Sequence, residues 1–370
     1  MKRIILLSIF LIFCTVIPVH AQDTDFYEAS GADRLFSVLP KSGQQILSEH
    51  GIFGADSDEM LSLSFGDFFK IIGDELIKTA KKPLSLFASG VAVALLCALI
   101  AQLKPPQSES AARTFDAVAV LATAIVLLTP VSEMFTAAAQ SLEDVSAFLI
   151  SFIPVYAGIL TATGQPLGAS LAQSTLLGIS EIVSVISTTV LVPLLTIYLA
   201  MCVVSSVSRE FSIDPLTDGI KSVITVSLGA LLTVFIGVLS LKGGLAQSAD
   251  TVAMKTAKFA AGTVFPVVGG AVSDALSSVQ GSLSLVRTSV GTFASIGVGV
   301  SCLPALLSLL LTQMALTFSA AIAHVLSAER VACVLKRAAG VLSLLTGIVA
   351  VFAVLVIISL GILLQAAGGG

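Results

Sequence analysis

Two stretches of this chain limit what it can fold into. Thr288–Ala328 runs for 41 residues without a charged side chain, and Leu167–Ser208 runs for 42 with only Glu181. About 20 consecutive apolar residues suffice to cross a bilayer as a helix. Inside lipid every backbone N–H and C=O must be satisfied within the protein, which leaves helices as the economical solution for such runs. The chain is only 11% charged, where an average soluble domain is about 25%, and its mean hydropathy is +1.02. These features predict an all-α polytopic membrane protein with about 7–8 transmembrane helices.

The chain begins like a secretory signal peptide over residues 1–21. Met1-Lys2-Arg3 is a positive start, Ile4–Ile17 an apolar core, and Val19-His20-Ala21 a small-x-small cleavage site. Residues 22–83 follow as the one polar region, with 11 of the 23 acidic and six of the 19 basic residues. Within it Leu61, Phe65, Phe68, Phe69, Ile72 and Leu76 recur at helical steps, which predicts an amphipathic helix. About 60 residues bury little core alone, so this region is expected to be a small helical extracytoplasmic cap on the membrane domain.

A first group of spans is expected over 84–241: Leu84–Leu103, Ala117–Met134, Val145–Thr163, a short or re-entrant Leu167–Ser180, Ile182–Val207 and Val223–Leu241. A second group is expected over 288–370, with Thr288–Ala328 folded as a tight hairpin near Pro304 and a last span at Val341–Leu364. Gly229, Thr233 and Gly237 form one small-residue ladder, and Gly291, Ser295 and Gly299 another. Such ladders let helix backbones approach closely.

Between the two groups lies a segment of different character, residues 242–287. It carries Lys242, Asp250, Lys255, Lys258, Asp274 and Arg287 among small and apolar residues, with Gly243-Gly244, Pro266 and Gly269-Gly270. It reads either as a solvated cytoplasmic loop or as a broken, re-entrant element packed among the helices, since irregular backbone survives at membrane depth only under protein or water. In the second case Lys258, Pro266, Gly269, Gly270 and Asp274 are the candidate functional residues. Glu181 is a further candidate, as an intramembrane carboxylate able to handle an ion or proton. The positive-inside rule puts residues 22–83 outside and the central segment inside, counting Lys242, Lys255, Lys258 and Arg287 as cytoplasmic.

No HExxH, Walker A, GxSxG or CxxC pattern occurs, and none of the five cysteines falls in residues 22–83, so the sequence suggests no enzyme, cofactor or metal. The net charge of −4 and the lack of a dense basic run argue against nucleic acid as a partner. Membrane lipid is the expected surrounding.

FIGVLSLKGGLAQSADTVAMKTAKFAAGTVFPVVGGAVSDALSSVQG and SFIPVYAGILTATGQPLGAS resemble the stage III sporulation protein AE family of endospore-forming bacteria. The resemblance implies a multi-pass, non-enzymatic subunit of the sporulation channel or secretion complex between mother cell and forespore. It further implies a place in the mother-cell-derived membrane around the forespore. Its expected partners are other stage III sporulation proteins of the same operon and, through them, stage II sporulation protein Q. A stand-alone secondary transporter or permease using Glu181 is the alternative function class; an inverted internal repeat would mark it.

Overall fold

The computed structural model describes residues 27–28, 30–55, 65–102, 109–185, 214–264 and 269–368, with six further positions between 193 and 201. The signal segment and most of the expected span Ile182–Val207 lie outside the described residues. A single 3-10 turn, Ala32–Arg34, precedes the helices. In chain order these are α1 (Leu35–Val38), α2 (Lys41–Glu49), α3 (Phe65–Thr79), α4 (Lys81–Gln102) and α5 (Glu109–Ala162). Then follow α6 (Pro166–Val185), α7 (Asp214–Val264), α8 (Gly269–Val325) and α9 (Glu329–Gly368). Five of them, α4, α5, α7, α8 and α9, are long and apolar enough to cross a membrane.

Several helices are longer than a bilayer needs. The expected hairpin at Pro304 is absent: α8 runs straight through it, and α5 likewise runs through Pro130, Pro154 and the expected loop at 135–144. Proline is tolerated in buried helices because surrounding groups satisfy the carbonyl it frees, and here α9 supports α8 along its length. Gly291 lies so close to Leu364 that a Cβ would run into its side chain, and a Cβ on Gly299 would meet Ile357 Cδ1 at 3.5 Å. Between Gly291 and the α8–α9 turn lie 34 residues, about 50 Å of helix at 1.5 Å per residue. That exceeds the roughly 30 Å hydrocarbon core.

The register of contacts divides this length into two layers. Near the α8–α9 turn, a Cβ on Gly90 of α4 would meet Ser319 Oγ at 2.9 Å, and Ser319 Oγ donates to the Phe87 carbonyl at 3.2 Å. Arg330 approaches Asp116 there at 3.9 Å. At the other end of α4, Lys82 reaches Glu133 of α5 at 3.5 Å, and Thr312 of α8 lies 3.8 Å from Met134 Sδ. On α5 the layer so bounded runs from Asp116 to Glu133, 17 residues or about 26 Å of helix. Its outer face is a belt of Leu95, Leu96, Leu99, Leu121, Ile125, Leu128, Met314 and Phe318, all exposed.

Beyond that boundary the same helices turn inward. Between Phe135 and Ala162 only Ile150 of α5 is an exposed large hydrophobic residue, and α8 has none from Leu283 to Leu309. The cap covers them. Ser42 Oγ donates to the Ser301 carbonyl at 3.1 Å, Ser289 Oγ donates to the Ala55 carbonyl, and the Ala55 N–H donates to the Tyr27 hydroxyl at 2.8 Å. Gly43 lies against Ser301, and Leu39 fills the space that a Cβ on Gly297 would take. An exposed ion pair, Lys78 to Glu49 at 2.5 Å, ties α3 to α2. The hydrogen bond from Lys78 holds the Glu49 carboxyl below its usual range and raises the Lys78 amine.

The amphipathic helix expected from Leu61 onward is present as α3, although its buried face differs. Ile71 is the buried residue, whereas Phe69 and Leu76 are 62% and 40% exposed. Apolar residues occur on both sides of α3, so spacing alone did not fix which side packs. The two glycine ladders also part company. Gly291 and Gly299 pack on α9, while a Cβ on Gly229 or Gly237 of α7 would meet nothing within 4 Å.

Candidate functional site

Polar side chains gather at the end of the bundle farthest from the α8–α9 turn. Arg287 of α8 is 3% exposed and within electrostatic reach of Tyr156 of α5, which is fully buried. Arg287 Nη2 donates to Ser284 Oγ at 3.2 Å, one helical turn away. Its Nε and the Tyr156 hydroxyl have no hydrogen-bond partner among the described residues. Tyr156 ends an aromatic column on α5, with ring centroids 5.9 Å apart for Phe148–Phe152 and 5.0 Å for Phe152–Tyr156. The guanidinium is therefore held at the end of an apolar stack, where a buried cation is costly to keep and its retention points to a role.

Asp250 of α7, 5% exposed, is anchored nearby. Its carboxylate accepts from the Leu167 N–H at 3.2 Å and the Gly168 N–H at 2.8 Å, the first free donors of α6. Helix N-termini leave such donors unsatisfied and carry partial positive charge, so a carboxylate is well matched to the position. Pro166 stands where a missing N–H is harmless. Farther along α6, the Ser180 and Ser146 hydroxyls lie 2.5 Å apart and fasten α6 to α5. Replacing Asp250 with Ala removes the cap and should lower stability by about 1–2 kcal/mol. The thermal midpoint of the purified protein should fall, with Asp250→Asn falling less; equal midpoints would show that the contact is idle.

The residues singled out from sequence are placed less centrally. Gly269 and Gly270 are the first two residues of α8, with Asp274 further along that helix, and Lys258 lies on the last turns of α7. Pro266 lies outside the described residues. The central segment is thus mostly helix: α7 continues past Gly243 and Gly244 to Val264. Glu181 is on α6 with an exposed side chain, one residue beyond the buried Ser180. It is not brought together with the others. Arg287 and Asp250 were visible as charges within the segment, but sequence spacing gave no sign that both are buried.

Arg287, one of the four cations counted as cytoplasmic in the expected orientation, is in the bundle interior and not in a loop. Ser289, two residues on, touches the cap at Ala55. No bilayer thickness separates the cap from this end of the central segment.

Comparison with known proteins decides the family. The pattern of the family described as "Stage III sporulation protein AE" matches residues 53–367, most of the chain. The chain belongs to the stage III sporulation protein AE family. It is similar to the stage III sporulation protein AE of Bacillus subtilis (strain 168), 22% identical over 257 residues. That match covers 69% of this chain and 62% of the relative. The chain therefore spans less than two thirds of that relative's length. No solved structure matches. Family membership and the apolar helices together make this a sporulation membrane protein.

Proposed function

We propose that this protein is a non-enzymatic, multi-pass subunit of the channel or secretion complex between mother cell and forespore, needed for late forespore development. Membership of the family carries the reading. The structure supports it in two ways. The cap and the α7–α8 end of the bundle pack as one body beyond the bilayer-thick layer, suited to contact proteins of the intermembrane space. The α7 face with Val223, Val226, Val234 and Leu241 is exposed along the bundle and is available for coverage in an assembly. Partners would be other stage III sporulation proteins of the operon and, through them, stage II sporulation protein Q. The protein would reside in the mother-cell-derived membrane around the forespore.

The test is an affinity pull-down from sporulating cells after engulfment, using the tagged full chain. Ring and export components of the sporulation complex should co-purify in specific excess over an unrelated polytopic membrane protein. Recovery of the bait with none of them, from cells in which the complex is assembled, would contradict the proposal.

A further inference from the structure

We propose that the groove between α4 and the C-terminal half of α8 is a phospholipid site, with one acyl chain along the groove and the lipid phosphate at Lys81. The groove is open along the bundle surface, holds about 690 Å³ and is lined throughout by apolar side chains, among them Pro83, Leu84, Phe87, Ala315, Phe318 and Ile322. That volume falls in the range of about 300–1,000 Å³ typical of small-molecule sites. From Leu311 to Val325 the lining extends 14 residues along α8, about 21 Å at helical rise, and on the α4 side from Pro83 to Phe87.

Three observations select a lipid chain as the occupant. The groove lies in the bilayer-thick layer, and its rim is continuous with the exposed belt through Leu84 (67%), Phe318 (57%) and Val325 (83%). Its length exceeds the roughly 15 Å that one leaflet contributes to the hydrocarbon core, so an acyl chain has room along it. A partner helix is the poorer match, because the lining offers no polar side chain to fix its register and helix pairing in lipid relies on small residues and polar contacts.

The head of the groove has the right polarity. Lys81 is exposed and lies between the lining residues Ala80 and Pro83. Among the described residues it has no carboxylate partner, whereas Lys82 is engaged by Glu133 at 3.5 Å. A lysine at the edge of an apolar groove extends its stem along the greasy wall and offers its ammonium to the interface. A lipid phosphate is the anion available there.

Native mass spectrometry of the full chain, released from mild detergent with added dioleoylphosphatidylglycerol, tests this. The parent protein should retain one phospholipid at detergent levels that strip the belt. Ala315→Trp should fill the groove and abolish retention, and Lys81→Glu should weaken it at least tenfold. Leu96→Trp, on the exposed belt, should retain lipid as the parent does. If Ala315→Trp does not accumulate, the exposed Lys81→Glu decides alone. Retention unchanged in Lys81→Glu overturns the proposal. So does a parent protein whose mass shows two chains and no lipid, since a second copy then covers the groove.

Discussion

Arg287→Met is expected to give a protein that accumulates in the membrane at least as well as the parent but fails to support gene expression in the forespore. The side chain is 3% exposed, and its only hydrogen bond among the described residues is to Ser284. Replacing a buried ion pair by apolar residues of similar volume is often neutral or stabilising, by about 1–4 kcal/mol, and a buried guanidinium with no ion-pair partner among the described residues bears the desolvation cost without that pairing. Were Arg287 there only for structure, losing it should do no harm. Its burial, with its Nε and the Tyr156 hydroxyl both unpartnered among the described residues, therefore makes it the residue to test for function. Immunoblotting of membranes and a forespore reporter in the same cells separate the outcomes. Normal level with normal reporter activity would remove Arg287 from the functional account, and loss of the protein would make the residue structural.

The second large effect concerns the cap. A Cβ on Gly43 would run into Ser301 Oγ and approach Leu39 Cδ2 at 3.0 Å. Ser301 cannot simply rotate away, because its hydroxyl donates to the Gly297 carbonyl at 2.6 Å and its own carbonyl accepts from Ser42. Gly43→Val should therefore destabilise docking of α2 on α8 by about 1–3 kcal/mol, the usual cost of overpacking. Limited proteolysis of purified protein should cut within residues 30–55 many times faster than in the parent, with α8 and α9 still intact. Gly51→Ala is a poorer probe despite open space around it, since its φ of 79° strains any side chain. Equal cleavage rates for Gly43→Val and parent would mean that the cap is held elsewhere.

Helical, membrane-embedded character was legible in the sequence because long uncharged runs admit few other solutions. The expected span Leu84–Leu103 corresponds to α4, and Gly164-Gln165-Pro166 marked the start of α6, although α6 continues past the expected end at Ser180 to Val185. The Gly291–Ser295–Gly299 ladder marked true packing on α9. What failed was the assumption that apolar length comes in units of one bilayer. Glu143 and Asp144 read as a loop, yet they lie on the flank of a continuous α5 in the layer where the cap packs. Pro304 read as a turn, yet α9 carries α8 past it.

The candidate site was harder to read. A charge within an apolar stretch looks the same in sequence whether it faces water or the interior. Arg287 and Asp250 are distinguished from Lys242 and Lys255, which are exposed, only by which way the helix is turned. That is set by α5, α6 and α9, all remote in the chain. Glu181 illustrates the converse, an isolated carboxylate in an apolar run whose side chain ends up exposed.

The cap and the central segment are expected to face one compartment, because Ser289, two residues past that segment, donates to the Ala55 carbonyl of the cap. Single cysteines at Phe53, Lys255 and Glu329, each in a background lacking the native cysteines, test it with a membrane-impermeant maleimide on intact non-sporulating cells induced to carry the full chain in the plasma membrane. The positions are exposed on the cap, on α7 and at the start of α9. The account predicts that Phe53→Cys and Lys255→Cys label on intact cells, and that Glu329→Cys labels only after permeabilisation. Labelling of Lys255→Cys together with Glu329→Cys, with Phe53→Cys on the opposite side, would contradict it and restore a cytoplasmic central segment.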